Sequence, residues 1–407
     1  MHCGSALATQ PRAETSPRPS ASSVRPSTDC EPTPEPDRCV LRLHAMKVLV
    51  AMSGGVDSSV AAALMQREGH HVVGVTMRLW GGESDTGCCS VSDVDDARRV
   101  AQQLDIDHLV FNFSDDFQEK VVDPYVHAHA TGVTPNPCIE CNRSLKFSRL
   151  TERADALGFD AVVTGHHARL VRNAQGEMRV HRGGDAAKDQ SYVVHMLTGR
   201  ELERTLFPVG HMTKVEVRAL ATELGLRTAS KPDSQDVCFI PTTGGRETFL
   251  GKRIPFHSGR VVDTEGYDVG QVEAVELVTI GQRRGIGLYK TEAKRFVVDV
   301  DTASRTVVVG TEGDLQRTGL ALHSMVWAGG TPESGRFRVQ CSAHGASMPC
   351  AVEVLDGGRV QVTLDQPHRR IAPGQSAVLF DESDAYVVAG GLVSAASAWP
   401  ASVGATA

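Results

Sequence analysis

A chain of 407 residues exceeds what one hydrophobic core ordinarily covers, so two or three domains are expected. Its net charge of −7 excludes a generally basic nucleic-acid binder, and any polyanion must be met by local patches. No uninterrupted apolar run approaches the ~20 residues that a membrane-spanning helix needs, so no membrane partner is expected. The ten cysteines follow no regular disulfide framework and no secretory signal is visible, which points to a reducing, cytoplasmic setting.

Residues 1–45 are rich in Pro, Ser, Thr and Arg, lack hydrophobic periodicity, and are expected to form a disordered extension. Glu14, Asp29, Glu31, Glu35 and Asp37, with the prolines, oppose an amphipathic targeting helix. Met46 opens the first predicted strand directly, which suggests translation starting there. That strand, 46–52, runs into Ser53-Gly-Gly-Val-Asp-Ser-Ser59 and then a predicted helix from Ser58 to about Glu68. A glycine-rich turn between strand and helix aims several backbone N–H groups at one spot, and the helix N-terminus adds partial positive charge. This is a cradle for an anion, and phosphate suits it. The spacing is not that of the kinase-type loop, and no lysine sits where it could reach a γ-phosphate. An ordinary Gly-Gly turn with a capping serine is the bland alternative.

From 46 to 242 short apolar strands alternate with helices: strand 71–77, helix 91–104, strand 109–113, helix 145–157, strand 161–164. The alternation predicts an α/β, doubly wound parallel sheet with ligands at the carboxyl ends of its strands. Within it, Thr134-Pro-Asn-Pro-Cys-Ile-Glu-Cys-Asn142 reads as an extended segment, stiffened and kept out of helix by its prolines. It displays Cys138 and Cys141 just before a helix carrying Arg143 and Lys146, a setting that favours thiolate. A nucleophile with a neighbour, half of a metal or iron–sulfur site, and two unremarkable loop thiols all fit this pair. Cys238 lies between apolar Val237 and Phe239, as a buried cysteine would, yet follows a polar loop. Cys88-Cys89 reads as a local loop feature or a partner of the Cys138/Cys141 pair. Lys188-Asp-Gln-Ser-Tyr192 is either a solvated loop or a grip on a phosphate and an unstacked base.

Beyond about 245 the pattern changes. Residues 243–312 read as a small central domain of short strands and turns. Residues 313–397 alternate in period two, as a small antiparallel β-barrel does, and 398–407 form a flexible tail. The run 281–287 with Lys290, Lys294 and Arg295, together with Arg336, Arg338, His368, Arg369 and Arg370, suggests a polyanion partner.

Six motifs occur in order: Ser-Gly-Gly-Val-Asp-Ser, Thr-Pro-Asn-Pro-x-x-x-Cys-Asn, Thr-Gly-His, Lys-Asp-Gln-Ser-Tyr, Ser-Gln-Asp-x-Cys-Phe and Thr-Ile-Gly-Gln-Arg-x-Gly. Together they resemble the bacterial tRNA-specific 2-thiouridylases of the ATP-pyrophosphatase superfamily, over about residues 46–395. The resemblance implies an adenylating domain, a small central domain and a C-terminal barrel. It implies that Ala51, Met52, Ser53, Gly54, Gly55, Val56, Asp57 and Ser58 form the ATP loop, with Met77 and Gly165 against the adenosine. It implies that Asn136, Pro137 and Cys138 meet the target base. Cys141 would be the nucleophile and Cys238 the persulfide carrier, the two able to form a disulfide. Lys188, Asp189 and Gln190, with Arg338 and Val339 in the barrel, would contact tRNA. The implied substrates are ATP, with Mg²⁺ on its phosphates, and the tRNAs for lysine, glutamate and glutamine. A cysteine desulfurase or relay protein would supply sulfur. One departure stands out: many members carry aspartate at position 138, where it can act as acid or base. Cys138 here opens an alternative in which Cys138, Cys141 and Cys238 hold an iron–sulfur cluster.

Overall fold

The computed structural model describes residues 45–80, 91–233, 237, 239–240, 244–289 and 294–395. Cys88, Cys89, Cys238 and Lys290 lie outside these residues. Five strands, β1 (Lys47–Ala51), β2 (His71–Arg78), β3 (Asp107–Asn112), β4 (Ala161–Val163) and β7 (Thr205–Leu206), form one sheet in the order β3-β2-β1-β4-β7. Every pairing in it is parallel. Chain order reverses at β1, with β2 on one side and β4 on the other. This is the switch point at which open α/β sheets leave a crevice for ligands. Helix α1 (Val56–Arg67) follows β1 and α2 (Val91–Gln103) follows β2. The near-continuous apolar run of β1, buried on both faces, is what a central parallel strand requires.

A two-stranded ribbon, β5 (Arg169–Arg172) and β6 (Met178–His181), leads out of this sheet. The central part is a four-stranded sheet of β8 (Gly259–Val262), β9 (Asp268–Val272), β10 (Phe296–Asp301) and β11 (Thr306–Gly310). The last part is a closed antiparallel barrel of β12 (Gln316–Trp327), β13 (Gly335–Gln340), β14 (Met348–Val354), β15 (Val360–Arg369), β16 (Ser376–Phe380) and β17 (Val387–Val393). Closure leaves no free edge. The parallel sheet and the barrel are therefore as the sequence pattern predicts.

The segment around the cysteine pair differs from expectation. Residues 137–156 are helical, as Pro137–Cys141, a π-helical stretch Asn142–Arg149, and Leu150–Ala156. Pro137 does not exclude helix because it stands at the first position, where its missing N–H has no intrahelical acceptor anyway. Asn136 caps the end, its side-chain oxygen accepting from the Cys138 N–H at 3.0 Å. Helix α1 likewise begins two residues earlier than predicted, because extended Gly55 (φ −93°, ψ 166°) serves as its cap.

Arg182, just after β6, joins the part that contains the parallel sheet to the barrel. Its guanidinium donates to Asp189 at 2.9 Å, Asp384 at 2.6 Å and Gln340 at 2.6 Å, and lies 3.4 Å from the centre of the Phe380 ring. Removing a mostly buried ion that satisfies several partners typically costs about 2–4 kcal/mol. Arg182→Ala should lower the unfolding free energy by that order in urea titrations, and Arg182→Lys should recover little of it because lysine lacks the planar fork. A loss under ~0.5 kcal/mol would contradict this joint.

Candidate nucleotide and thiol site

The chain leaves β1 through Met52 and Ser53 and turns at Gly54, whose φ of +71° is left-handed. A side chain there would also strike the Asp93 carbonyl, with a Cβ only 2.4 Å from its oxygen. Ser58 then stitches the turn, its hydroxyl accepting from Ser53 N–H at 3.3 Å and donating to the Gly55 carbonyl at 3.2 Å. The first-turn N–H groups of α1 have no intrahelical acceptors and face the mouth of the turn. The strand–turn–helix expected at 46–68 is thus formed as a local unit.

Gly165 follows β4 and Met77 nears the end of β2, the two strands flanking β1. Both therefore lie at the same carboxyl edge as the cradle. Gly165 presses directly on it: a Cβ there would stand 2.6 Å from the Ser58 nitrogen and 2.7 Å from the Asp57 carbonyl carbon. Next to it His166 is buried, its Nδ1 2.7 Å from the Thr164 hydroxyl and its ring against Phe147 and Phe207. Burial, then the charge of Lys146, holds this imidazole well below its ordinary pKa and so neutral.

Asp57, in the first turn of α1, is the electrostatic centre. Lys214 Nζ donates to both its oxygens at 2.8 Å, and His167 Nε2 stands 3.1 Å from Oδ1. Burial alone would raise the Asp57 pKa, but the hydrogen bonds and charges of His167 and Lys214 outweigh it and hold the carboxyl below 3.8. Lys214 also reaches Asp233 at 2.9 Å, and Asp233 takes Lys188 at 2.8 Å and Arg218 at 2.7 Å. Burial opposes ionisation of Asp233 too, but Lys188 and Lys214 lower its pKa strongly. A parallel pair lies beside Gly54, where Lys231 bridges Asp93 and Asp96 at 2.7 Å each. No sequence motif singles out Lys214, Asp233 or Lys231. Lys214 and Asp57 are 157 positions apart, and no local pattern links them. The only local signal at Lys214 is the Thr213–Glu216 capping box that starts its helix.

Of the tRNA-contact expectations, Lys188 is exposed, whereas Asp189 and Gln190 are engaged internally. Asp189 accepts from Gly183 N–H at 2.8 Å, from Ser191 and from Arg182, and Gln190 Oε1 accepts from His167 N–H at 2.9 Å. Arg338 is half-buried against Ser347, while Val339 is fully buried in the barrel core. Several basic residues of the barrel have partners within the fold. Arg336 pairs with Asp365 and Arg369 with Glu312, and buried Arg370 donates to the Val298 carbonyl at 2.6 Å. Arg283 and Arg284 remain exposed.

Cys141 is 7% exposed and belongs to the core cluster that contains Phe117, Tyr125 and Phe249. Cys138, one turn earlier, is half-buried. Phe239 packs into the same cluster as Cys141, edge-on to Phe117, Tyr125 and Phe249, and Val237 lies against it. The residues on both sides of position 238 are thus part of the same core cluster as Cys141. Val237 does so in a left-handed conformation (φ 56°), which costs a β-branched residue about 1–3 kcal/mol. Among the described residues no group of three His, Cys, Asp or Glu is arranged to hold a metal.

Because Asp57 has a depressed pKa, its contribution to stability is fully present above the unfolded value near 3.8 and is lost as pH falls through the lower folded value. Asp57→Asn should therefore show a constant stability deficit from about pH 5 to neutrality that shrinks below about pH 4. A deficit unchanged into acid would mean that the clamp is not ionic.

Family comparisons follow this geometry. Residues 46–242 match a tRNA methyl transferase HUP domain, 247–311 a tRNA methyl transferase PRC-barrel domain, and 317–393 an aminomethyltransferase beta-barrel domain. The tRNA-specific 2-thiouridylase MnmA of Herpetosiphon aurantiacus is 42% identical over 354 residues, 86% of this chain and 98% of that protein. Its counterpart in Acidothermus cellulolyticus is 45% identical over 347 residues, 83% of this chain and 95% of that protein. The Mycolicibacterium smegmatis counterpart is 46% identical over 345 residues, 82% of this chain and 95% of that protein. With three consecutive domain matches and 42–46% identity over nearly the full length of these relatives, the chain belongs to the tRNA-specific 2-thiouridylase family.

Proposed function

We propose that this protein replaces the C2 oxygen of the wobble uridine of tRNA by sulfur, using ATP to activate that oxygen. The observation that carries the reading is the cradle at 53–58, set at the sheet's switch point and ringed by Asp57, Lys214 and Gly165. Its backbone donors suit a pyrophosphate, and Gly165, which has no side chain, lets the chain after β4 close onto the start of α1 beside it. Mg²⁺ bound with the nucleotide would screen the charge of the phosphates.

The target base must leave the anticodon stack to be reached. Asn136, Pro137 and Cys138 form the rigid helix cap that would meet it. Attack of the C2 oxygen on the α-phosphorus releases pyrophosphate and turns that oxygen into part of an AMP leaving group. Sulfur then arrives from a persulfide on Cys238. In one route the terminal sulfur attacks C2 and AMP departs. Cys141 next attacks the Cys238 sulfur, the bond to the transferred sulfur breaks, and 2-thiouridine leaves with a Cys141–Cys238 disulfide behind. In the other route Cys141 attacks the persulfide first and frees hydrosulfide, which displaces AMP. Both end in the same disulfide, which an external thiol reduces. The packing of Val237 and Phe239 in the Cys141 cluster supports this pairing.

We assign Lys188 and Arg338 to tRNA phosphates, lysine, glutamate and glutamine tRNAs as substrates, and a cysteine desulfurase or relay protein as sulfur donor, in the cytoplasm. Cys138 in place of aspartate favours one second reading: a cluster held by Cys138, Cys141 and Cys238.

Anaerobic protein incubated with ATP, Mg²⁺, desulfurase, cysteine and unmodified glutamate tRNA should yield 2-thiouridine by nucleoside mass spectrometry. The product should form without bound iron. Formation only with bound iron would favour the cluster, and a methylated nucleoside would overturn thiolation. Cys238→Ser should abolish sulfur transfer while tRNA-dependent pyrophosphate release persists. Loss of tRNA binding in that variant would contradict the carrier role.

A further inference from the structure

The cradle carries dipoles but no positive charge of its own. Within 51–58 the one charged side chain is Asp57, and it is an anion. Its lowered pKa keeps it ionised at neutral pH, so an incoming polyphosphate would meet net repulsion unless a cation is at hand. The fold supplies one from outside the loop. Lys214 stands at the first position of the helix Lys214–Glu223, with its own N–H donating to Asp185 at 2.9 Å. Its stem is thereby anchored and only the ammonium needs to move. That ammonium has three donors; Asp57 takes two contacts at 2.8 Å, and Asp233 a third at 2.9 Å. Its side chain is 12% exposed, so its electrostatic interactions are little screened. Lys188 and Arg218 also hold Asp233, so that carboxylate keeps two cations if Lys214 turns away.

On the reading of 53–58 as an ATP loop, we propose that Lys214 is the cation that binds the terminal phosphates of the nucleotide, with Asp57 and Asp233 holding its ammonium in place at the cradle beforehand. It is a lysine supplied in space to a loop that has none in sequence. The role is specific to charge beyond the α-phosphate, and AMP, which lacks the terminal phosphates, separates it from any general effect on loop shape.

The experiment is calorimetric titration of the full-length protein, without tRNA, with ATP, pyrophosphate and AMP, comparing wild type, Lys214→Gln and Lys214→Arg. Losing one charge-assisted contact should weaken ATP and pyrophosphate by roughly tenfold or more in the glutamine variant, with AMP changed by less than about twofold. The arginine variant should retain most of the preference for ATP over AMP, and it keeps the comparison available if the glutamine variant does not fold. Equal weakening of ATP and AMP would overturn the proposal, assigning Lys214 to loop architecture, and unchanged ATP binding would overturn it as well. Wild-type protein that binds none of the three would instead sink the ATP-loop reading itself.

Discussion

One part-buried contact set organises the carboxyl edge of the parallel sheet: the ionised Asp57 carboxylate held by Lys214 and His167. Asp57 belongs to the first turn after β1, His167 to the loop after β4, and Lys214 to a helix that follows β7. A single carboxylate therefore ties three chain segments to the carboxyl edge of the parallel sheet. Gly165 allows this closeness, since any side chain there would collide with the backbone of α1. The ionic contacts extend outward through Asp233 to Lys188 at the surface. Helix dipoles and main-chain donors shape the cradle, while charges brought from distant positions decide its net field.

The thiol side obeys a different constraint. Cys141 belongs to the same core cluster as Phe117, Tyr125, Phe239 and Phe249, whose ring edges meet ring faces. The cluster also packs Val237 and Phe239, the residues on either side of position 238. On the proposed function, polyphosphate chemistry would sit in a charged crevice and sulfur chemistry against an apolar wall, with the flipped base bridging the two.

Local and periodic features were legible in the sequence. The strand–turn–helix of the cradle, the alternation that gives a parallel sheet, and the period-two barrel each depend on near neighbours. Three kinds of feature were not. Pro137 looked like a helix breaker because its effect depends on position, and at the first turn it is a helix starter. Lys214 and Asp233 acquire meaning only through contacts across the fold. Charged residues read as a surface footprint proved in part structural: Arg370 is buried, Arg336 and Arg369 are paired, and Asp189 fastens Arg182 at the junction with the barrel. A charge in a sequence reports a requirement for a partner, and only the fold tells whether that partner is a neighbouring residue or a ligand.

The central claim is that the uridine C2 oxygen becomes bonded to the α-phosphorus of ATP. Glutamate tRNA carrying heavy oxygen at C2 of the wobble uridine tests it directly. After a single turnover the AMP is isolated and its phosphate oxygens are weighed by mass spectrometry. The account predicts one heavy oxygen in each AMP formed, matched by one 2-thiouridine. Heavy oxygen recovered in water, with unlabelled AMP, would contradict it and leave ATP with some role other than activating the base.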